Sequence, residues 1–186
     1  MASSASTPGP SAERPIRLLL RVAGEDHPKA CTGRRLLRRG LAEREGTGPR
    51  GRAPILLDPH ALQPLSRADL PRARSGGVLG VDCSWNRLDR RGGYPTAARR
   101  GPEGPRRRLP FLLAGNPQHY GRVAELNTAE ALASALWVLG ESARARSILE
   151  GFPGGTGFVS LNAELLARYD RCADAEEIRS AEREFF

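Results

Sequence analysis

The sequence predicts an α/β fold in which a parallel sheet in the first part of the chain is followed by an all-α second part. Two patterns predict it. Short apolar runs stand at residues 16–22, 55–57, 78–81 and 111–114, and continuous runs are typical of parallel strands covered on both faces. Beyond Gly115 the apolar residues change to the spacing of amphipathic helices.

Two helices are predicted among the first three strands. The segment CTGRRLLRRGLAE follows the first apolar run. Thr32 would cap a helix there, Leu36 and Leu37 would face inward, and Gly40 would end it. A second helix would start at Ser66, between the second and third runs.

Four helices are predicted in the second part. Asn127 and Glu130 stand at the spacing of a capping box in LNTAEALASALWVLG, and Gly140 is its stop signal. The segments SARARSILEG and LNAELLARYDRC follow, and Asp174 opens the last helix, DAEEIRSAEREFF. The residues expected to face the core are Leu132, Ala135, Leu136, Leu139, Leu165, Leu166 and Tyr169.

The length and composition of the chain limit the classes of protein to which it can belong. The 186 residues, 39% of them hydrophobic, suffice for one domain or for two small ones sharing a core. The small, polar residues 1–15 predict a disordered leader rather than a signal peptide, and no apolar stretch approaches the ~18 residues of a membrane span. We therefore expect a cytoplasmic protein without membrane contact, with domains at 16–115 and 116–186.

The cysteine pattern bears on metal sites and disulfides. Cys31, Cys83 and Cys172 are widely separated, no CxxC pair exists, and the chain has three histidines. This pattern argues against both a metal site and a disulfide framework.

Positive charge is concentrated in the first part of the chain. Residues 1–108 hold 22 Lys/Arg against 10 Asp/Glu, whereas residues 109–186 hold 7 against 11. The asymmetry indicates that the first part faces a polyanion. A GC-rich genome would explain the preference for arginine, since Lys29 is the only lysine, but not the asymmetry. The Gly/Pro/Arg segment 90–108 is predicted to be a loop that either clamps RNA phosphates or is a solvated insertion.

Four loops leave the apolar runs with sequences that suit a pocket. They are HPKACTG, LLDPHALQPLS, VDCSW and LLAGNPQHYG. Because ligands of open α/β sheets bind at the carboxyl ends of the strands, these loops together predict a binding pocket.

The residues of VDCSW each have two interpretations. Cys83 is either a nucleophile or, since no histidine is close in sequence, a buried inert thiol. Asp82 is either a general base or a loop cap. Trp85 is either a flat pocket wall that suits a sulfonium cation or a large core residue. The residues alone leave these alternatives open.

The motifs CTGRRL, DCSW, RLPFLLAGNPQHYG and LNTAEALASAL follow one another in an order that resembles the small-subunit (16S/18S) rRNA aminocarboxypropyltransferase family, over residues 16–186. The resemblance implies a SPOUT-like knotted parallel-sheet domain that binds cofactor and RNA, followed by an all-α domain that completes the cofactor pocket. The implied enzyme is a monomer acting on small-subunit rRNA or a pre-ribosomal particle. It would transfer the 3-amino-3-carboxypropyl group of S-adenosylmethionine to N3 of a uridine or N1-methylpseudouridine, releasing 5′-methylthioadenosine.

The resemblance also implies a cofactor pocket. Thr32 and Thr128 would contact the methionine end of S-adenosylmethionine. Trp85 would pack against the sulfonium methyl, so that Cγ of the methionine chain faces the RNA instead. The residues implied to hold the adenine and ribose are Val81 and Leu109 through their backbone, the apolar Leu57, Pro59 and Leu126, and Ala124, which replaces a usual aromatic residue.

Asp82 is our candidate for the catalytic base, or for an orienting group, that acts on the acceptor N3–H. Two alternatives remain: an RNA methyltransferase of the same architecture, in which Trp85 would not cover the methyl group, and a non-catalytic RNA-binding assembly factor. The latter has no need of Thr32, Trp85 and Thr128. The arginines implied to bind phosphates are Arg34, Arg35, Arg38, Arg52, Arg106, Arg107 and Arg108.

Overall fold

A parallel sheet of five strands forms the framework of the computed structural model, which describes residues 14–22, 31–46, 52–82 and 104–186. The strands are β1 (Leu18–Val22), β2 (Glu43–Arg44), β3 (Ile55–Leu57), β4 (Val78–Asp82) and β5 (Arg106–Arg107). Their order across the sheet is β2-β1-β4-β3-β5, and every strand pair is parallel. The predicted α/β class is confirmed.

Both faces of the sheet are apolar, which explains the continuous apolar runs. Leu18 and Leu20 of β1 point into the main core. Leu19 lies on the opposite face, in register with Leu79 of β4, and Leu56 of β3 lies beside them. Because successive side chains of a strand alternate between faces, a strand covered on both faces needs apolar residues at consecutive positions.

Seven helices accompany the sheet in the described part of the chain. Two of them, α1 (Thr32–Arg38) and α2 (Leu70–Gly76), fall between strands in sequence, and a short 3₁₀ turn that begins after Ser66 leads into α2. The others follow the sheet in the chain: α3 (Thr128–Val138), α4 (Ser142–Leu149), α5 (Gly155–Leu161), α6 (Ala163–Asp170) and α7 (Ala175–Phe185).

The helix α3 packs at the middle of the molecule. Asn127 caps it and forms the predicted capping box with Glu130. Gly80 of β4 lies so close to α3 that an added Cβ would be 3.4 Å from Leu132 Cδ2. One continuous core therefore includes strand residues such as Leu20 together with residues of the C-terminal helices.

Two predictions of local structure are wrong, and one helix is missing from the predictions. Residues 111–114 form no strand. The Leu113 N–H donates to the side-chain oxygen of Asn162, and the Leu113 carbonyl accepts a hydrogen bond from the side-chain amide of the same residue. Thr32 does not cap α1; the cap is Cys31, whose sulfur accepts the N–H of Arg34, and Thr32 is the first helical residue. The helix α5 is not predicted, since its glycine-rich start, which includes a left-handed Gly154, is unfavourable to helices.

Several predictions concern residues outside the described ranges. Cys83 and Trp85 lie there, as do the leader up to residue 13 and the part of the predicted arginine-rich loop up to residue 103. Within the described ranges, no helix has the length and apolarity that a bilayer crossing requires.

Candidate functional site

Asp82 stands where the carboxyl end of β4 meets the starts of α1 and α3. It is the last residue of its strand and is only 7% exposed. The Cys31 thiol donates to Oδ2 over 2.7 Å, and the Thr128 hydroxyl donates to Oδ1. Both carboxylate oxygens therefore accept a hydrogen bond from the first residues of a helix.

The CTG motif is explained by this carboxylate. Cys31 caps α1 and at the same time donates its thiol hydrogen to Asp82. An added Cβ at Gly33 would stand 2.5 Å from Asp82 Cγ and Oδ2, so a side chain there would displace the carboxylate. The helix can approach the strand this closely only because position 33 is glycine.

The start of α3 is fixed by its own capping groups. The side chain of Asn127 accepts the N–H groups of Ala129 and Glu130 at 2.9 and 3.0 Å. The Glu130 carboxylate accepts the Asn127 N–H at 2.9 Å in return. This reciprocal box sets the direction in which the adjacent Thr128 hydroxyl points, which is toward Asp82.

Glu130 also ties α3 to the loop formed by residues 110–125, called the 110–125 loop below. Its carboxylate accepts the N–H of Gly115 at 3.0 Å and the side-chain amide of Asn116 at 2.8 Å. The side chain is 1% exposed, and this burial raises the pKa of Glu130. Sequence reasoning found only the capping role of Glu130, because its contacts across the loop depend on the fold.

The chain that enters this loop, at Arg108 and Phe111, is held by the C-terminal helices. Glu182 of α7 pairs with both Nη atoms of Arg108 at 2.5 and 2.7 Å and accepts the Phe111 N–H at 3.1 Å. The Tyr169 hydroxyl donates to Phe111 O at 3.0 Å, and burial raises the pKa of Tyr169. These two positioning residues had no functional signal in the sequence beyond the helix patterns that contain them.

The residues predicted to hold the methionine end come together. Thr32 and Thr128 are the first residues of α1 and α3, and both helices begin against Asp82. Trp85, the third predicted contact near the sulfonium, lies outside the described residues.

The residues predicted to hold the adenine and ribose lie at the carboxyl ends of β3 and β4, and within or beside the 110–125 loop. Ala124 has a left-handed backbone, with φ of 63°, and donates its N–H to Leu112 O at 2.8 Å. This conformation costs a non-glycine residue on the order of 1–2 kcal/mol. The others are the buried Leu57 and Leu126 and the half-buried Pro59, Val81 and Leu109.

The arginines predicted to bind phosphates divide into two groups. Arg107 and Arg108 are largely buried in ion pairs with Asp69 and Glu182. Arg106 is more exposed and pairs with Asp58 at 3.0 Å. The second group lies on α1 and before β3: Arg38 and Arg52 are exposed, and Arg34 and Arg35 are half-buried.

The chemistry of the site depends on whether its side chains could hold a metal ion. Among the described residues, no cluster of three His, Cys, Asp or Glu side chains has the arrangement of a metal centre. The arrangement around Asp82 instead combines hydroxyl groups, helix starts and apolar strand ends, which suits an amphipathic organic molecule with one polar and one aromatic end.

Comparisons with known proteins identify the family. A family model described as "Ribosome biogenesis protein, C-terminal" matches residues 55–186. The 16S rRNA aminocarboxypropyltransferase of Halobacterium salinarum is 40% identical over 163 residues, which cover 88% of this chain and 92% of that protein. The chain belongs to the rRNA aminocarboxypropyltransferase family. The resemblance inferred from the motifs is thereby confirmed.

A eukaryotic member of the aminocarboxypropyltransferase family and a solved structure also match this chain. The 18S rRNA aminocarboxypropyltransferase of Schizosaccharomyces pombe is 35% identical over 171 residues, covering 92% of this chain and 57% of that protein. The structure of the SAM-dependent rRNA:acp-transferase Tsr3 from Vulcanisaeta distributa matches with a TM-score of 0.73 and 30% identity, over 91% of this chain and 97% of that one.

Proposed function

We propose that this protein transfers the 3-amino-3-carboxypropyl group of S-adenosylmethionine to N3 of a uridine or N1-methylpseudouridine in small-subunit rRNA, as a step of ribosome biogenesis. The observation that carries the proposal is the 40% identity, over nearly the full length of both chains, with a protein named for this transfer. The match to a SAM-dependent rRNA:acp-transferase structure supports the same donor.

The transfer breaks one bond and forms another at the same carbon. N3 of the acceptor attacks Cγ of the methionine chain, the Cγ–S bond breaks, and its electron pair goes to sulfur. The sulfonium becomes the neutral thioether of 5′-methylthioadenosine, and the N3 proton is released. Because the sulfonium is an activated leaving group, most of the enzyme's task is to align N3 with Cγ rather than with the methyl carbon.

The donor pocket is proposed at the strand ends beside Asp82. Thr32 and Thr128 would hold the methionine end, which their common position at Asp82 supports. Trp85 would cover the sulfonium methyl. The proposed contacts to adenine and ribose are the apolar Leu57, Pro59 and Leu126 and the backbone of Val81, Leu109 and Ala124.

Asp82 is proposed to orient the site rather than to take the N3 proton. Its two oxygens accept hydrogen bonds from Cys31 and Thr128, and its side chain is buried against Gly33. These contacts favour a fixed carboxylate that positions the helix starts. A catalytic base would instead need an oxygen turned toward the acceptor nucleotide.

The RNA-binding surface is proposed to centre on α1 and the segment before β3, through Arg34, Arg35, Arg38 and Arg52. Arg107 and Arg108 are less favoured, because their side chains are only 17% and 15% exposed and lie in ion pairs with Asp69 and Glu182. Arg106 also pairs with Asp58, but its side chain is 41% exposed and can reach a phosphate. The guanidinium of Arg35 already stacks on the ring of Phe152, 5.0 Å from its centre, which holds this arginine in place on the surface of α1.

We further propose the finer architecture that the family resemblance implies. It consists of a leader at 1–15, a SPOUT-like knotted sheet domain at 16–115 and a helical domain at 116–186 that completes the donor pocket. The parallel sheet supports this division, and the shared core indicates that the two domains would pack as one body. The protein would act as a monomer in the cytoplasm, on small-subunit rRNA or a pre-ribosomal particle.

The reaction is tested with S-adenosylmethionine labelled in either the methionine carboxyl or the methyl group. Each is incubated with the purified protein and unmodified small-subunit rRNA, and label in the RNA is counted. We expect carboxyl label and no methyl label. Methyl label alone would make the protein a methyltransferase and would overturn the proposed role of Trp85. Donor binding without transfer of either label, on naked rRNA and on pre-ribosomal particles, would favour a non-catalytic assembly factor.

A further inference from the structure

Tyr120 is the most exposed aromatic side chain in the described part of the chain. It lies in the 110–125 loop and is 66% exposed. Among the described residues, no aromatic ring or guanidinium stacks on it. Aromatic rings contribute large contact areas when they bind a partner, so a ring left in water beside a candidate site is a candidate contact.

The backbone that carries Tyr120 is held in one conformation. Gly121, the next residue, has the left-handed φ of 77° that the turn requires. The loop is anchored through Asn116, whose amide donates to the buried Glu130. The backbone hydrogen bonds that close the loop, between 2.8 and 3.2 Å, run from His119 to Asn116, from Gly121 to Ala114, from Arg122 to His119 and from Ala124 to Leu112.

The same loop is attached to the donor site. Glu130, which binds Asn116, lies on the first turn of α3, and Thr128 on that turn donates to Asp82. Tyr120 is four positions from Ala124, a proposed donor contact, and that length of chain spans at most about 14 Å. The loop that carries Tyr120 therefore lies next to the proposed donor site, within reach of the RNA that would bind there.

We propose that Tyr120 stacks on a nucleobase next to the acceptor nucleotide of the RNA. The inference rests on the proposed function, since it takes RNA as the acceptor. Every base presents a flat π face, so a rigid, exposed ring suits unpaired RNA whatever its sequence. Arg122, whose side chain is 64% exposed and which pairs with Glu125 at 3.3 Å, places a positive charge beside the ring for the phosphate of the same nucleotide.

The neighbouring surface favours RNA as the partner. The start of α1 lies on the other side of Asp82, and this helix carries Arg34, Arg35 and Arg38. The acceptor strand would then run between phosphate contacts on α1 and a stacked base on the 110–125 loop. Phosphate contacts position a strand and stacking holds its unpaired bases, so the two kinds of group complement each other.

The test compares three variants of the full chain for binding to small-subunit rRNA transcribed in vitro. Tyr120→Ala is expected to weaken RNA affinity roughly 5- to 150-fold, the range of a lost base–aromatic stack. Tyr120→Phe keeps a ring and should bind like the wild type. Tyr120→Leu introduces an apolar side chain that cannot stack, and should lose as much RNA affinity as the alanine variant. S-adenosylmethionine affinity should stay unchanged in all three.

Three results would overturn the inference. One is wild-type RNA affinity in Tyr120→Ala. Another is equal binding by the leucine and phenylalanine variants, which would make the contact merely apolar. The third is a loss seen with intact small ribosomal subunits but not with naked rRNA, which would assign the ring to a ribosomal protein.

The RNA-binding assay needs no chemical step, so it is independent of the label-transfer experiment. A wild-type protein that binds rRNA through Tyr120 but transfers no carboxyl label would refute the proposed reaction and leave the stacking contact standing. If the Tyr120→Ala variant transferred carboxyl label and bound RNA as well as the wild type, the stacking contact would be refuted and the proposed reaction would stand.

Discussion

At the scale of single residues, Asp82 determines the geometry of its neighbours. The substitution Asp82→Asn removes the charge and replaces one acceptor oxygen by a donor that faces the Cys31 thiol. Hydrogen bonds to charged groups contribute about 1.5–3 kcal/mol each. Since Thr32 and Thr128 would lose their alignment, we expect S-adenosylmethionine affinity to fall roughly 10- to 100-fold. Calorimetric titration of the donor, alongside the transfer rate, measures this effect.

Cys31 offers the matched control for that experiment. Cys31→Ser keeps a hydrogen-bond donor beside Asp82 and a cap for α1, so donor affinity should stay close to wild type. Cys31→Ala loses both groups and should behave like Asp82→Asn. If Asp82→Asn abolished transfer while donor affinity stayed unchanged, Asp82 would be the general base and not the orienting group.

At the scale of elements, α7 supports the segment that carries Leu109. Glu182 is nearly buried and holds Arg108 through two hydrogen bonds. Glu182→Ala would leave the Arg108 charge unpaired in a place with little water. Breaking a buried pair in this way costs about 3–5 kcal/mol. We expect a matching decrease in the free energy of unfolding, measured by urea denaturation, and weaker donor binding in the folded fraction.

Glu184, two residues further along α7, provides the comparison. It pairs with Arg168 at 2.6 Å on the surface, where solvent weakens ion pairs. Glu184→Ala removes the same charge from the same helix and should change neither stability nor donor affinity appreciably. Equal losses in the two variants would show that the charge of α7, and not the contact with Arg108, is what matters.

The elements also show why part of the fold could be predicted from the sequence. Asn127 and Asp174 cap α3 and α7 as predicted, because a cap acts on N–H groups two and three residues away. Residues 55–57 and 78–81 were correctly predicted as strands for a similar reason, since burial on both faces is visible in consecutive apolar residues. Residues 111–114 are equally apolar but form no strand of the sheet. The backbone of Leu113 instead bonds to the side chain of Asn162, 49 positions away, and its neighbours bond within the 110–125 loop.

The site was predictable only in part for the same physical reason. The motif around Asp82 marked a strand end with functional residues, and the structure brings Thr128 and the CTG motif to it. The partners that fix the site were not visible, because Glu182 acts on Arg108 across 74 positions. Pairs so distant in sequence have no local pattern, and only packing brings them together.

At the scale of the whole molecule, the uneven charge predicts a salt effect. The chain has a formal net charge of +8, and the excess of Lys/Arg lies within residues 1–108. Neutralised phosphates release counterions, so RNA affinity should fall steeply and linearly on a plot of log affinity against log salt concentration. S-adenosylmethionine affinity should change little, since the residues proposed to contact it are mainly apolar groups and hydroxyls. Titrations of both ligands at several salt concentrations test this difference.

The slope of that plot also shows which individual arginines contact phosphates. Arg34→Ala on α1 should reduce it by about one if the side chain contacts one phosphate. Arg179→Ala on α7, in the acidic part of the chain and paired with Glu176, is the charge-matched control and should leave the slope unchanged. Tyr120→Ala should lower RNA affinity at every salt concentration without changing the slope, because stacking releases no counterions. A flat salt response of the wild type would mean that the basic first part of the chain is not the RNA-binding surface.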